Sequence, residues 1–363
     1  MNGPAEVNED AVKLTSYFGE RHRTTEGRFS ADALLDLYGR HEVATSILLR
    51  GAEGFGAKGH PRTDMSLTLS EDLPLIAVAV DSRARIEPLV TPAARLTGTG
   101  LVTLDGARLL RGDIETGDIE AVTLREGMNE ETKLTIYVGR QERVYRMPAF
   151  MAVCDLLYRR GVVGATALLG VDGTAHGNRE RASFFSRNAA TPMMVIAVGS
   201  GKRIARVLPE LGGLLRRPLL TLERVQICKR DGKLLCPPSA LPGTDQTGMP
   251  LWHKLMIYTS EAAMHDGQPV HRAIVRGLRG AGASGATTQR GVWGFHGDHA
   301  PHGDRLLQLG RHVPVVTIVI DSPERIATAF AVVDELTAEQ GLVTSETVPA
   351  MRPAGSSGRQ PAA

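Results

Sequence analysis

Arg50-Gly51-Ala52-Glu53-Gly54-Phe55-Gly56-Ala57-Lys58-Gly59-His60 is a glycine-rich, basic stretch that follows the apolar run Ile47-Leu48-Leu49. Two altered copies lie downstream, Leu169-Gly170-Val171-Asp172-Gly173-Thr174-Ala175 and Arg290-Gly291-Val292-Trp293-Gly294-Phe295-His296. Each copy holds the same place in a longer repeat. The repeats open with Lys13-Leu14-Thr15-Ser16-Tyr17, Lys133-Leu134-Thr135-Ile136-Tyr137 and Lys254-Leu255-Met256-Ile257-Tyr258. The spacing is 133 − 13 = 120 residues, then 254 − 133 = 121. Self-similarity at a fixed period marks a repeated structural unit. The chain therefore reads as one domain present three times, at 12–111, 132–230 and 253–350. Linkers occupy 112–131 and 231–252, and a tail covers 351–363.

Working outward from the glycine-rich stretch, repeat 1 alternates strand and helix patterns. Lys13 to Gly19 reads as a strand. Ser30 can cap a helix carrying Ala33, Leu34, Leu37 and Tyr38 on one face. Val43 to Leu49 and Leu73 to Val80 read as strands flanking the glycine-rich loop. Arg83 to Thr97 reads as a helix in which Pro88 and Pro92 are awkward members, and Leu101 to Leu104 as a fourth strand. The order β-α-β-β-α-β is the ferredoxin-like arrangement, an α+β fold. The other repeats follow it, and Arg108-Leu109-Leu110 and Val225-Gln226-Ile227 form short apolar extensions of their fourth strands. Residues 1–11 read as frayed, and Pro237 to Pro250 as a flexible, Pro/Gly-rich linker.

The third strands decide how the copies associate. A sheet with one face in water alternates apolar and polar residues. Leu75-Ile76-Ala77-Val78-Ala79-Val80 and Val315-Val316-Thr317-Ile318-Val319-Ile320 do not alternate. Two helices cover one face of each small sheet, so the other face needs a partner. The expectation is three sheets facing one another around a pseudo-threefold axis, an intramolecular pseudo-trimer in a monomeric chain. Separate beads on a string would each expose a large apolar patch.

Bulk composition removes several classes. With a net charge of +2 the whole chain is not a polyanion binder by charge alone, so any basic site is local. Aromatic residues are only 4% of the chain, which argues against a nucleic-acid surface of interleaved bases and cations. Cys154, Cys228 and Cys236 are odd in number and not spaced as CxxC, so they read as reduced thiols. The N-terminus lacks a basic segment followed by an apolar one, and the longest apolar runs fall short of the ~20 residues that span a bilayer. The expectation is a soluble, cytoplasmic protein with no direct membrane insertion. GxSxG, HExxH and P-loop patterns are missing from the sequence, so the reading is non-enzymatic.

Four stretches together resemble a known group: Lys13-Leu14-Thr15-Ser16-Tyr17-Phe18-Gly19-Glu20-Arg21, Leu49-Arg50-Gly51-Ala52-Glu53-Gly54-Phe55-Gly56, Leu69-Ser70-Glu71-Asp72-Leu73-Pro74 and Gly100-Leu101-Val102-Thr103-Leu104. They are similar to the PII-like family called domain of unknown function 190 and, more distantly, to the nitrogen-regulatory PII signalling proteins, whose T-loop the glycine-rich stretch resembles. The likeness covers about 13–111, 133–230 and 254–348. It implies ferredoxin-like units assembled in threes, clefts between units that take an adenine nucleotide, and loops that relay occupancy to a protein partner. Family context implies a membrane transporter, such as a fluoride exporter, as that partner.

The residues themselves allow such chemistry. Glycines let backbone N–H groups converge on an anion, and Arg50, Lys58 and Arg62 can add charge-assisted bonds to a phosphate. The candidate effector site in repeat 1 is Arg50, Gly51, Gly54, Phe55, Gly56, Lys58 and Arg62, with Glu20 and Arg21 after the first strand. Repeat 3 keeps Arg290, Gly291, Gly294 and Phe295. Repeat 2 has lost the pattern, so the three clefts are not equivalent. The other reading of the same residues is that the glycines serve the turn and the phenylalanines pack. Two alternative functions stay open. His296, His299 and His302 recur at three-residue intervals and can ligate a metal, or the chain can be an interaction scaffold without a ligand.

Overall fold

Repeat 1 consists of β1 (Glu6–Gly19), α1 (Ser30–Arg40), β2 (Thr45–Arg50), β3 (Glu53–Phe55), β4 (Pro61–Thr63), β5 (Pro74–Ser82), α2 (Arg83–Thr97) and β6 (Leu101–Arg111). Repeat 2 adds β7 (Glu131–Gly139), α3 (Ala149–Arg159), β8 (Gly164–Ala175), β9 (Pro192–Ser200), α4 (Gly201–Leu214) and β10 (Leu219–Arg230). Repeat 3 adds β11 (Leu251–Ser260), α5 (Val270–Gly280), β12 (Ala286–Arg290), β13 (Trp293–His296), β14 (Pro314–Asp321), α6 (Pro323–Leu336) and β15 (Leu342–Met351). The structure is a computed structural model that describes residues 6–56, 59–64, 72–112, 131–175, 178–179, 191–296, 300–303 and 313–352. Lys58, His299, most of the 112–131 linker and the tail beyond Arg352 lie outside the described residues.

Each repeat has the same antiparallel strand order: β6-β1-β5-β2, then β10-β7-β9-β8, then β15-β11-β14-β12. The sequence reading expected three separate sheets meeting face to face. Instead their strand ends pair from repeat to repeat. Arg108–Arg111 of β6 pairs with Leu219–Leu222 of β10. The far end of β10 pairs with Leu342–Ser345 of β15, and Ala350–Met351 of β15 returns to β6. A second circuit links the second strands: β8 pairs with β2, β3 with β12, and β13 with β8. The outcome is a mixed α/β chain with six helices among the described residues and one large antiparallel sheet. It closes as a nine-strand barrel through β6, β1, β5, β2, β8, β9, β7, β10 and β15.

The apolar extensions seen in sequence are therefore the segments that cross between repeats, which explains why they are apolar. The same pairing draws in the N-terminus: Glu6, Val7 and Asn8 pair with Arg111, Leu110 and Leu109, so residues 6–11 are strand rather than frayed chain. The 231–252 linker is tied down too. Cys228 O accepts from the Leu235 and Cys236 N–H groups, Gln226 bonds Pro237 O and Ser239, and Asp245 caps a turn. Helix α2 runs through Pro88 and Pro92, which lie four apart on its outer side, where water can take the freed carbonyls.

Four cores result. Three lie under the helix pairs, one per repeat. The fourth is shared, and Ile76, Val78 and Val80 meet Met194, Ile196 and Val198 and Val316, Ile318 and Ile320 there. This accounts for the third strands' burial on both faces.

Beside the shared core the six most consequential charges are buried. The Lys that opens each repeat stands across from an acid on its own fourth strand: Lys13 from Asp105, Lys133 from Glu223, Lys254 from Glu346. The ion pairs run onward to the next repeat. Lys13 binds Glu223, Lys133 binds Glu346 at 2.5 Å, and Lys254 binds Asp105 at 2.5 Å. Lys133 also pairs with its own Glu223, and Lys254 with its own Glu346 at 2.9 Å. Asp105 is one methylene shorter than its counterparts, and its Oδ2 makes no hydrogen bond among the described residues.

Burial pushes the Glu223 carboxyl up, but Lys13, Lys133 and Lys254 outweigh it and hold the group well below the carboxylate range. A carboxylate depressed in the folded state contributes stability that is complete above its unfolded pKa of ~4.3 and is lost as pH falls below it. Unfolding free energy is therefore expected to drop steeply below about pH 4, measured by denaturant titration across a pH series. Lys133→Met leaves two buried carboxylates without their shared cation and should cost ~3–5 kcal/mol in the same assay.

Candidate functional site

The hairpin of β3 and β4 reaches out of repeat 1 and lies along β12 of repeat 3. Phe55, at the end of β3, is buried in the core of repeat 3 among Leu255, Ile274 and Val319. Phe295 does the same one step round the ring. It enters the core of repeat 2 and meets Tyr158 edge-on, with ring centroids 5.3 Å apart. Repeat 2 carries Thr174 at the matching place, and its hydroxyl bonds Ser46 Oγ of repeat 1 at 2.7 Å.

The glycines around these anchors sit where backbones touch. A Cβ on Gly54 would stand 2.3 Å from Ala286 O, and one on Gly294 2.1 Å from Ala165 O. Gly51 and Gly291 donate their N–H groups to Pro74 O and Pro314 O, each at 2.7 Å, and are closed in by those prolines. Arg50 is held by Glu20 through two bonds of 3.0 and 2.9 Å. Arg290 forms an ion pair with Glu261 at 3.0 Å in the equivalent place and also pairs with Asp64. Arg50, Gly51, Gly54, Glu20, Arg290, Gly291 and Gly294 thus join repeats and close turns, and none of them lines the cleft described next.

That cleft lies between repeats 1 and 3 and has a volume of about 430 Å³. Tyr17, Phe55, Leu101, Ile318 and Ile320 form its apolar wall, and Arg21, His22, Arg62 and Arg352 supply cationic or polar groups. Of the residues singled out in the sequence, the fold brings Arg21, Phe55, Gly56 and Arg62 together here. Gly56 has open space around it, with nothing within 4 Å of where a Cβ would stand. Arg62 pairs with Asp72 at 2.9 Å, and Asp72 also accepts the Arg21 N–H at 2.8 Å. His22 shares a 2.8 Å hydrogen bond with Ser30 Oγ, and burial lowers its pKa, so the ring is neutral at pH 7. The ring packs on Gly98, whose positive φ of 61° ends α2. Arg352 lies 5.0 Å over the Trp252 ring, and burial lowers its pKa.

Sequence reading missed Asp72 and Arg352, while His22 belongs to the run Glu20-Arg21-His22-Arg23, which the sequence already offered as a cleft lining beside the reading of solvated loop charge. Arg21-His22 as an adjacent basic pair was visible, but Arg352 reaches the cleft only because β15 crosses back onto β6.

The equivalent cleft between repeats 3 and 2 has closed to about 20 Å³, room for about one water. Tyr258 and Phe295 stand there where Tyr17 and Phe55 stand in the open cleft, while Ala262 and Ala263 replace Arg21 and His22. His296 lines this closed cleft, and His302 Nδ1 lies 2.8 Å from Ala300 O. Among the described residues no group of His, Cys, Asp or Glu is gathered as a metal site, and His299 is outside them. No helix among them is long and apolar enough to cross a membrane.

Comparison with known proteins agrees with the internal period. A UPF0166 protein of Aquifex aeolicus (strain VF5) is 30% identical over 95 residues, which is 26% of this chain and 88% of that protein. The relative thus corresponds to a single repeat. Aspartate kinase from Synechocystis aligns over 94% of this chain and 44% of its own, at 10% identity and a TM-score of 0.25, too low to support any argument. The family model DUF190, described as Uncharacterized ACR, matches three times, at residues 11–109, 131–227 and 252–350. The chain belongs to this family and carries its domain three times in tandem.

Proposed function

We propose that the chain is a non-enzymatic, PII-like regulatory protein: three ferredoxin-like units in an intramolecular pseudo-trimer, with one working effector cleft between repeats 1 and 3. The observation that carries this reading is the pairing of an apolar wall with a basic rim in a volume of about 430 Å³. Ligand pockets are mostly apolar with a few placed polar groups. A flat ring can lie against Tyr17, Ile318 and Ile320 while an anionic tail meets Arg21, Arg62 and Arg352. An adenine nucleotide has that build.

The position of the hairpin supports a reading in which occupancy is relayed to a partner. Gly56, His60 and Arg62 line the cleft and belong to, or adjoin, β3 and β4. An anion that competes with Asp72 for Arg62 changes the tether of the β4 arm, and the glycine-rich segment that leads into it reports occupancy. The partner in this reading is a membrane transporter such as a fluoride exporter. Metal binding by the repeat 3 histidines is not favoured by any feature of the site.

Titration calorimetry with a panel of adenine nucleotides tests the reading. One ligand per chain is expected, because the neighbouring cleft is closed. Arg21→Ala and Arg352→Ala should each weaken binding roughly ten- to a hundredfold, about 1.5–3 kcal/mol. Arg50→Ala should leave affinity within about threefold, since Glu20 already holds that side chain. No heat with any nucleotide, or three equal sites, contradicts the proposal. A complementary check is Gly56→Trp, which should fill the cleft and abolish binding with an unchanged melting temperature, read by calorimetry and thermal denaturation.

A further inference from the structure

Charge is distributed very unevenly along this nearly neutral chain. Residues 132–230 hold 17 Lys and Arg against 6 Asp and Glu, a surplus of 11, while the whole chain carries +2. Five of these cations cluster on the helical side of repeat 2. Arg159 and Arg160 at the end of α3, and Lys202, Arg203 and Arg206 at the start of α4, are all exposed. The Arg203 guanidinium bonds Gly161 O, so the two groups adjoin. Asp155 and Glu210 are the only acids on these two helices, and Glu210 is already taken by Arg160 at 2.7 Å. The matching helices of repeat 1 set Arg40, Arg83, Arg85 and Arg95 against Asp32, Asp36 and Glu87, and those of repeat 3 set Arg272, Arg276, Arg279 and Arg325 against Glu324, Asp334 and Glu335, so repeat 2, with five cations to two acids, is the most basic of the three helical faces.

A second, independent feature lies at the other end of α3. Arg143–Val144 and Met147–Pro148 form a hairpin whose two-residue turn is Tyr145-Arg146. Both turn residues have positive φ, 46° and 72°. The same turn in repeat 3 is Asp266-Gly267, at 47° and 77°, the residue pair that such a turn favours. Repeat 2 therefore holds a tyrosine and an arginine in a backbone conformation that L side chains resist. Arg143 Nη1 donates to Arg146 O at 2.9 Å across the turn, but the side chains gain little packing, because Tyr145 is 94% exposed and Met147 beside it 40% exposed. Strain kept at an exposed site points to a contact made outside the chain.

We infer that the helical face of repeat 2 is a docking surface for anionic phospholipid headgroups, with Tyr145 and Met147 as its interfacial tip. Lys and Arg near a membrane are attracted by the surface potential of acidic lipids, and Tyr is favoured at the headgroup boundary because one end is apolar and the other polar. Tyr145 is the one exposed aromatic of repeat 2 among the described residues. Single-stranded nucleic acid would instead call for successive stacking partners. The inference does not rest on the effector cleft, which lies between the other two repeats.

Vesicle flotation of the full chain tests it. The protein should float with vesicles of roughly 3:1 phosphatidylcholine to phosphatidylglycerol and not with phosphatidylcholine alone, and raising salt from about 50 to about 300 mM should release it. Lys202→Glu with Arg206→Glu should weaken partitioning at least about tenfold. Tyr145→Asn with Arg146→Gly should also weaken it, yet raise the melting temperature, an outcome a merely structural hairpin would not give. Equal binding to neutral vesicles, no binding to acidic ones, indifference to both double variants, or tighter binding to a single-stranded oligonucleotide overturns the inference.

Discussion

Six buried charges set the frame of this molecule. Lys13, Lys133 and Lys254 alternate with Asp105, Glu223 and Glu346, and the pairs that link one repeat to the next run in one direction round the chain. Buried ion pairs often add little net stability compared with apolar packing, because taking charges out of water is costly. They are unforgiving of a missing partner, however. Three Lys and three acids neutralise each other only when all three repeats are present and in this cyclic order. The shared apolar core supplies the driving force for association; the charges select one arrangement from those that burial alone would permit. The cross-repeat strand pairs then follow, since each fourth strand already stands beside the next at the level of its acid.

Joining the copies in one polypeptide frees them to diverge. Three separate identical subunits would present three identical clefts. Here one cleft keeps about 430 Å³ and a basic rim, while its neighbour has closed to about 20 Å³. The second repeat has lost the Phe-Gly pair of the loop and carries a surplus of 11 positive charges. The frame is common to the three units, and the surfaces have specialised: an open cleft between repeats 1 and 3, a basic face with a strained tip on repeat 2.

Much of the frame was legible in the sequence because repetition and burial leave marks there. The Lys-x-x-x-Tyr openings gave the period, and unbroken apolar third strands gave the need for a shared core. What could not be read was the edge-to-edge closure of the sheets. Apolar runs such as Arg108-Leu109-Leu110 say that a segment is covered, not which strand covers it. The site was harder still. Glycines and an arginine in a loop fit both a phosphate cradle and a crowded strand crossing, and only the 2.3 Å approach at Gly54 and the Arg50–Glu20 pair separate the two. The lysines were used as markers of the repeat, but their role depends on Asp105, Glu223 and Glu346, which lie some 90 residues away in sequence and in register across the strands.

Small-angle scattering of the full chain across a dilution series tests the central claim most directly. A single chain closed on itself by cyclic pairing should give a radius of gyration of about 21 Å that does not change with concentration. An elongated particle well above that size, or a radius that falls on dilution as an assembly comes apart, would contradict it.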